Sequence, residues 1–315
     1  MEYTMINGKK LSQMTLGTVQ LGLNYGIANE GGQPELKQSH AMLSCAFENG
    51  VSSLDTARGY GTSEEVLGSF LRTMPQNEIP FLTSKLIVGL PETATENEVE
   101  KSMFESVETS LATLGISKLD CLMLHRGEEM TKHGKSVPNV LKKLVAEGYT
   151  SMVGVSVYGP EELDIMLQND VYQATQLPMS LFDQKWIHQG YLEKLSQNNI
   201  TVFVRSVFLQ GLFFLNPATI TDPLLAEYAR PYLLKLRELC ERENVSIAEF
   251  AISFIRDLPG VTSLVLGADT EEQVLANIGY MNTPTLSEKV RQEALEVFKN
   301  VNLEKIMEVL RRPKN

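Results

Sequence analysis

Residues 54–68, LDTARGYGTSEEVLG, decide how the chain is read. Val51-Ser52-Ser53-Leu54 leads into them as a short β-rich run with the character of a buried strand. Asp55 stands at its end, and a glycine-rich turn carrying Arg58 and Tyr60 follows. Thr62-Ser63-Glu64-Glu65 then has the pattern of a capped helix start, continued by Val66 and Leu67. An acid at the carboxyl end of a strand, with a tyrosine on the next loop, is where α/β folds place their chemistry. Taken alone, the stretch fits equally well a surface turn in which Asp55 caps and Tyr60 packs.

The same alternation extends in both directions. Upstream, Asn7-Gly8 between apolar runs is a type I′ hairpin signal. Thr15 to Gln20 reads as a strand ending in the loop LGLNYG, and Glu35 to Asn49 as a helix stopped by Gly50. Downstream, strand candidates begin near Phe81, Leu119, Ser151, Ala174, Thr201 and Thr262, so that with Leu16 and Ser52 there are eight. Helical patterns fill the intervals, including a stripe of Val99, Met103, Val107, Leu111 and Leu114. Phe208 to Pro223 reads as irregular, Leu224–Arg242 as helical, and a last helix runs from a Thr285-x-x-Glu288 capping box to about Val309.

A repeat of roughly thirty to forty residues between short apolar strands suits βα units. A closed (β/α)8 TIM barrel, with an N-terminal β-hairpin and a C-terminal helix, is the economical arrangement for right-handed crossovers. The runner-up, a doubly wound sheet, is weakened because no GxGxxG follows the first strand. No Pro-, Ser- or Gly-rich linker divides the chain, so residues 1–315 are expected to form one domain.

Composition narrows the function. The 315 residues carry 28 Lys and Arg against 39 Asp and Glu, a net charge of −11, which argues against generic binding to nucleic acid or an anionic membrane. Cys45, Cys121 and Cys240 are widely spaced among apolar neighbours and read as buried free thiols of a reducing compartment. With neither a signal-peptide pattern nor a long apolar run, the expected location is the cytoplasm.

In a barrel, the residues just past the strand ends converge on one mouth. Here they include Asp55 and Tyr60 after the second strand, Lys85 ending the third and His125 after the fourth. Together they make a proton-donor device. A phenol of pKa about 10 is a poor acid near neutrality. An adjacent ammonium is expected to lower that pKa, and a carboxylate fixes the ammonium. An imidazole can polarise and orient a carbonyl. Singly, Asp55 could be a cap and His125 a core histidine; Lys85 at the end of an apolar strand is harder to explain without a partner.

The chain resembles the aldo-keto reductases. The resemblance lies in DTARGYGTSEEVLG, in Thr83-Ser84-Lys85, in LDCLMLHR, and then in the ordered motifs VGVSVYGPEEL, ATQLPMSLFD, VFVRSVFLQGLF and LVLGADTEEQVLANI. It implies a barrel closed at its base by the hairpin, NADPH bound at the mouth, and reduction of an aldehyde or ketone with Tyr60 donating the proton. Asp55 and Lys85 would tune Tyr60, and His125 would orient the carbonyl. Ser156 and Gln176 would hold the nicotinamide carboxamide, with Thr18 and Val19 beside the cofactor. Ser206, Phe208, Leu209 and Gly211 would line the pyrophosphate path, and Gly267, Gln273 and Asn277 the adenosine end.

Three departures from the family pattern matter. Val157 stands where many members have asparagine. Arg205 stands where many have an aromatic residue stacked on the nicotinamide; it could stack likewise or bind an anion. The last segment lacks the basic residues that grip the 2′-phosphate, so NADH is the alternative cofactor. Tyr25, Arg58, Arg126 and Trp186 are candidates for the substrate pocket, although the arginines could equally be paired in loops and Trp186 could be packing. The remaining histidines show no ligand spacing, and no metal is expected. The expected partner is a small-molecule carbonyl compound, bound by a monomer. Two rival readings are a nucleotide-binding regulator with little turnover and a metal-dependent hydrolase using Asp55 and His125.

Overall fold

The computed structural model describes residues 1–26 and 31–312. Strands β1 (Tyr3–Ile6) and β2 (Lys9–Ser12) form an antiparallel hairpin in register Ile6↔Lys9. Asn7 and Gly8 turn it with φ of 49° and 82°, the left-handed pair that a two-residue I′ turn requires. Eight parallel strands follow: β3 (Met14–Gly17), β4 (Ser53–Asp55), β5 (Phe81–Leu86), β6 (Leu119–Leu124), β7 (Thr150–Ser156), β8 (Tyr172–Pro178), β9 (Thr201–Arg205) and β10 (Ser263–Gly267). They close in sequence order, with β10 pairing both β9 and β3. The expected (β/α)8 barrel is therefore the architecture.

Strand alternation sorts each side chain to one of two cores. Leu54, Leu82, Leu122 and Leu124 face outward into the layer between barrel and helices. Phe81, Cys121, Met123, Met152, Ala174 and Phe203 fill the interior, where Leu11 of the hairpin joins them and stoppers the base. Hydroxyls secure that floor: Thr15 Oγ1 lies 2.8 Å from Ser53 Oγ and 2.7 Å from Ser263 Oγ, and Ser263 Oγ donates to the Ser12 carbonyl at 2.8 Å. Lys9 adds an ion pair to Asp120 at 2.8 Å.

Some boundaries differ from expectation for identifiable reasons. The first strand ends at Gly17 rather than Gln20, because Val19–Gly22 turns into a short helix. The helical stretch after Pro223 is two helices, Pro223–Tyr228 and Arg230–Glu243, divided at Ala229 ahead of Pro231. The last helix is likewise two, Glu288–Phe298 and Leu303–Leu310, and Asn302 caps the second by accepting from the Lys305 N–H. The first of these is capped by Ser287, whose hydroxyl accepts from the Val290 N–H, and not by Thr285. Cys121 and Cys240 are buried, whereas Cys45 is half-buried. No helix among the described residues is long and apolar enough to cross a membrane.

Candidate active site

Alternation also aims the chemistry. In β4, Asp55 follows inward-facing Ser53 by two residues. In β5, Lys85 lies two past Thr83 and four past Phe81, and His125 lies two past Met123 of β6. The register sets Asp55 beside Thr83 and Lys85 beside Met123, so adjacent strands deliver these groups to one end of the barrel.

There Lys85 Nζ donates to both Asp55 oxygens at 2.7 Å, to the Thr56 carbonyl at 3.1 Å and to the Tyr60 hydroxyl oxygen at 3.3 Å. The Lys85 and Asp55 side chains are 0% and 3% exposed. Gln176 Nε2 donates to Asp55 Oδ1 at 2.8 Å, so the carboxylate is held from two sides. Because the phenol oxygen accepts from Lys85, its own hydrogen remains available to a group in front of it. The His125 ring meets the Tyr60 ring edge-on, centroids 5.5 Å apart.

The loop bearing Tyr60 is tied down along its length. The Thr18 N–H and hydroxyl both donate to the Asp55 carbonyl, at 3.0 and 2.8 Å. Ser63 Oγ donates to the Thr18 carbonyl at 2.9 Å, and the Arg58 N–H donates to the Lys85 carbonyl at 3.1 Å. Behind the loop, buried Glu64 accepts from Ser84 Oγ at 2.7 Å and from Arg58 at 2.8 Å.

Electrostatics define the resting protonation. Burial pushes the Tyr60 phenol above its ordinary value; Lys85 pulls it down and Asp55 pushes it back up. The expected net lowering by lysine is thus reversed, because desolvation of a phenolate outweighs one ammonium that Asp55 already neutralises. Burial alone would lower Lys85, but Asp55 and Tyr60 together hold it above its ordinary range. Burial, then the charges of Lys85, Arg205 and Arg126, push His125 down to about 4. At neutral pH the three groups are an ammonium, a protonated phenol and a neutral imidazole.

Asp55, Tyr60 and His125 line a cavity of about 540 Å³, with Lys85 immediately behind them. The structure brings Thr18, Val19, Ser156 and Gln176 to the same cavity, together with Arg205, Ser206, Phe208 and Gly211. Gly267, Gln273, Asn277 and Tyr25 line it as well. Four expected residues lie elsewhere. Leu209 is 4% exposed and packs in the outer core. Trp186 is fully buried, its indole N–H donating to the Pro178 carbonyl at 2.5 Å, and forms no part of the cavity wall. Arg58 is held by Glu64, and Arg126 lies 3.6 Å from Glu128; neither lines the cavity.

The sequence reading missed other wall residues. Gln20 packs against Gly267, where a Cβ would come within 2.3 Å of its amide, and its buried Oε1 has no partner among the described residues. Tyr158, Gln210, Phe214 and Tyr280 also contribute. Tyr158, two residues past the end of β7, and Gln20, which closed the expected first strand, had a usable signal. Five amide side chains (Gln20, Gln176, Gln210, Gln273 and Asn277) and two serines (Ser156 and Ser206) around one cavity suit a ligand rich in hydrogen-bonding groups.

Residues 13–297 match the Aldo/keto reductase family. The chain belongs to that family. It is similar to the L-glyceraldehyde 3-phosphate reductase of Escherichia coli K12, at 25% identity over 311 residues and 88% of each chain. It is also similar to the NADH-specific methylglyoxal reductase of the same strain, at 26% identity over 302 residues, covering 86% of this chain and 90% of the relative. A solved aldo-keto reductase from Bacillus halodurans, in its holo form, superposes with a TM-score of 0.78 at 19% identity, covering 94% of this chain and 96% of that one. As an aldo-keto reductase, the chain is an NAD(P)H-dependent oxidoreductase acting on carbonyl groups.

Proposed function

We propose that this aldo-keto reductase reduces an aldehyde or ketone, such as a sugar or another polar carbonyl compound, to the alcohol. Tyr60 is the proton donor. The reading rests on one observation: Lys85 is bonded at once to Asp55 and to a phenol oxygen whose hydroxyl group faces a shared cavity with His125.

Each residue has a distinct task. Neutral His125 presents a ring nitrogen to the carbonyl oxygen and orients it towards Tyr60. The phenol, protonated at rest, transfers its proton as negative charge develops on that oxygen. Lys85 then stabilises the phenolate, and Asp55 keeps the ammonium in place. Gln176, anchored through its amide N–H to Asp55, keeps its carbonyl oxygen free to accept from a carboxamide, and Ser156 stands ready to complete that grip. Ser206, Phe208 and Gly211 border the proposed pyrophosphate path, and Gly267, Gln273 and Asn277 the adenosine end. When bound there, a reduced nicotinamide nucleotide supplies the hydride.

NADPH and NADH stand on equal terms. Among the described residues, the cavity wall from Gly267 to Tyr280 presents Asp269, Gln273 and Asn277 but no lysine or arginine. A 2′-phosphate would therefore gain no salt bridge from that segment. The test is an initial-rate screen of aldehydes and ketones with both nucleotides in parallel. Oxidation of at least one nucleotide, dependent on carbonyl compound, is expected; its absence across the panel would defeat the reading.

A further inference from the structure

Arg205 ends β9 on the cavity wall, half-buried, beside the groups assigned to the carbonyl. Its guanidinium lies 4.3 Å over the Tyr158 ring, and Nη2 donates to the Val157 carbonyl at a long 3.4 Å. That contact occupies one of five N–H donors. The other cavity and loop charges are already matched. Lys85 is neutralised by Asp55, Arg58 by Glu64 and Lys185 by Asp183 at 3.0 Å. Asp269, also on the wall, takes part in contacts of its own. Arg205 has no carboxylate within ion-pair distance among the described residues; its charge reaches Asp183, which Lys185 already pairs, as well as Tyr60, His125 and Tyr25.

A guanidinium placed over an aromatic face is braced from one side and still presents N–H donors along its own edge. That edge is a fork matched to two oxygens of a carboxylate or phosphate. A neutral polar ligand would leave the positive charge uncompensated in a partly desolvated site. We propose that Arg205 is the oxyanion-binding group of the substrate pocket, so that the favoured substrates are aldehydes and ketones carrying a carboxylate or phosphate. The inference rests on the carbonyl-reductase reading of the same cavity. Substrate carbonyl and oxyanion are then held at two points, by the Tyr60–His125 pair and by Arg205, which fixes the carbonyl face that is presented.

The experiment compares matched pairs: glyceraldehyde 3-phosphate with glyceraldehyde, and succinic semialdehyde with butanal. Wild type, Arg205→Gln and Arg205→Tyr are assayed with both nucleotides, and nucleotide affinity is measured separately by fluorescence. Arg205→Tyr restores a flat stacking surface without the charge. Wild type is expected to favour the anionic member of at least one pair, and which pair distinguishes phosphate from carboxylate. Arg205→Gln should erode that preference about tenfold to a hundredfold in kcat/KM, through KM, and Arg205→Tyr should not restore it. Added salt should weaken the wild-type preference. An unchanged anionic-to-neutral ratio in Arg205→Gln, or its recovery in Arg205→Tyr, would overturn the proposal and leave Arg205 as a cofactor-facing residue.

Failure of the broader reading is separable. Should wild type turn over no carbonyl compound, calorimetry with acetate and with inorganic phosphate still reads the site. Saturable binding to wild type that is lost in Arg205→Gln supports the proposal; no binding to wild type contradicts it.

Discussion

The two walls of the cavity are built on opposite principles. On the β4–β6 side, Lys85 and Asp55 are locked by two 2.7 Å hydrogen bonds around a fully buried ammonium, which also reaches the Tyr60 oxygen at 3.3 Å. On the β9 side, the wall is a chain of turns. Ser206, Leu209, Gln210 and Gly211 have φ of 65°, 46°, 56° and 95°, and Arg205 is half-exposed with one long hydrogen bond. The first wall stores its precision in buried charge, where losing one partner is costly. The second stores it in backbone conformation that a ligand can complete. Chemistry is thus held rigidly while recognition is left to surfaces with unused donors.

The largest effect should come from breaking the buried pair. Lys85→Met strands the Asp55 carboxylate, so urea unfolding should show a loss of about 3–5 kcal/mol. Reduction should fall on the order of 10²–10⁴-fold, and the double variant Lys85→Met/Asp55→Leu should recover stability but not activity. A single variant as stable as wild type would remove the contrast between the walls.

Next comes the packing that sets the Tyr60 loop. A Cβ at Gly22 would fall 1.8 Å from the Tyr60 carbonyl oxygen and 2.4 Å from the Ser63 nitrogen. Backbone must move to admit it, so Gly22→Ala should lower kcat about a hundredfold through a misplaced phenol. Circular dichroism would verify that the barrel persists, and a parental rate would show that the loop tolerates displacement.

His125 provides a pH test of the locked wall. Its folded pKa, about 4, lies below the unfolded value of about 6.5, so between these limits the unfolded chain binds the extra proton. Stability should therefore rise with pH across that window, and the rise should be smaller in His125→Gln. An equal gain in stability from pH 4.5 to 7 in wild type and His125→Gln, read from urea unfolding, would argue that the imidazole is not desolvated.

The smallest effect is expected on the β9 wall. Gln210→Gly relieves a left-handed backbone but frees the unfolded chain, and the opposing terms should leave stability within about 1 kcal/mol. A loss comparable to that of Lys85→Met would mean that this wall, too, is rigidly committed.

The same division explains what the sequence disclosed. Strand alternation is a period of two, so Asp55, Lys85 and His125 could be aligned at the barrel mouth from spacing alone, and Asn7-Gly8 announced its turn. The β9 wall was obscure because Ser206, Leu209 and Gln210 adopt positive φ without being glycine. No local pattern advertises that choice. For Trp186 and Arg58 the sequence left two readings open, pocket or packing for the one and pocket or pairing for the other, because residue type encodes neither the bond to the Pro178 carbonyl nor the pair with Glu64. The resting state of Tyr60 was also hidden, since spacing reveals a neighbouring ammonium but not the depth of burial that outweighs it.

The central claim is that Tyr60 gives up the proton in carbonyl reduction. It is tested most directly by single-turnover oxidation of prebound NADPH or NADH in Tyr60→Phe, with nucleotide affinity checked by fluorescence titration. The account predicts retained affinity and a rate reduced on the order of 10²–10⁴-fold. Turnover of a reactive aldehyde at the parental rate would contradict it.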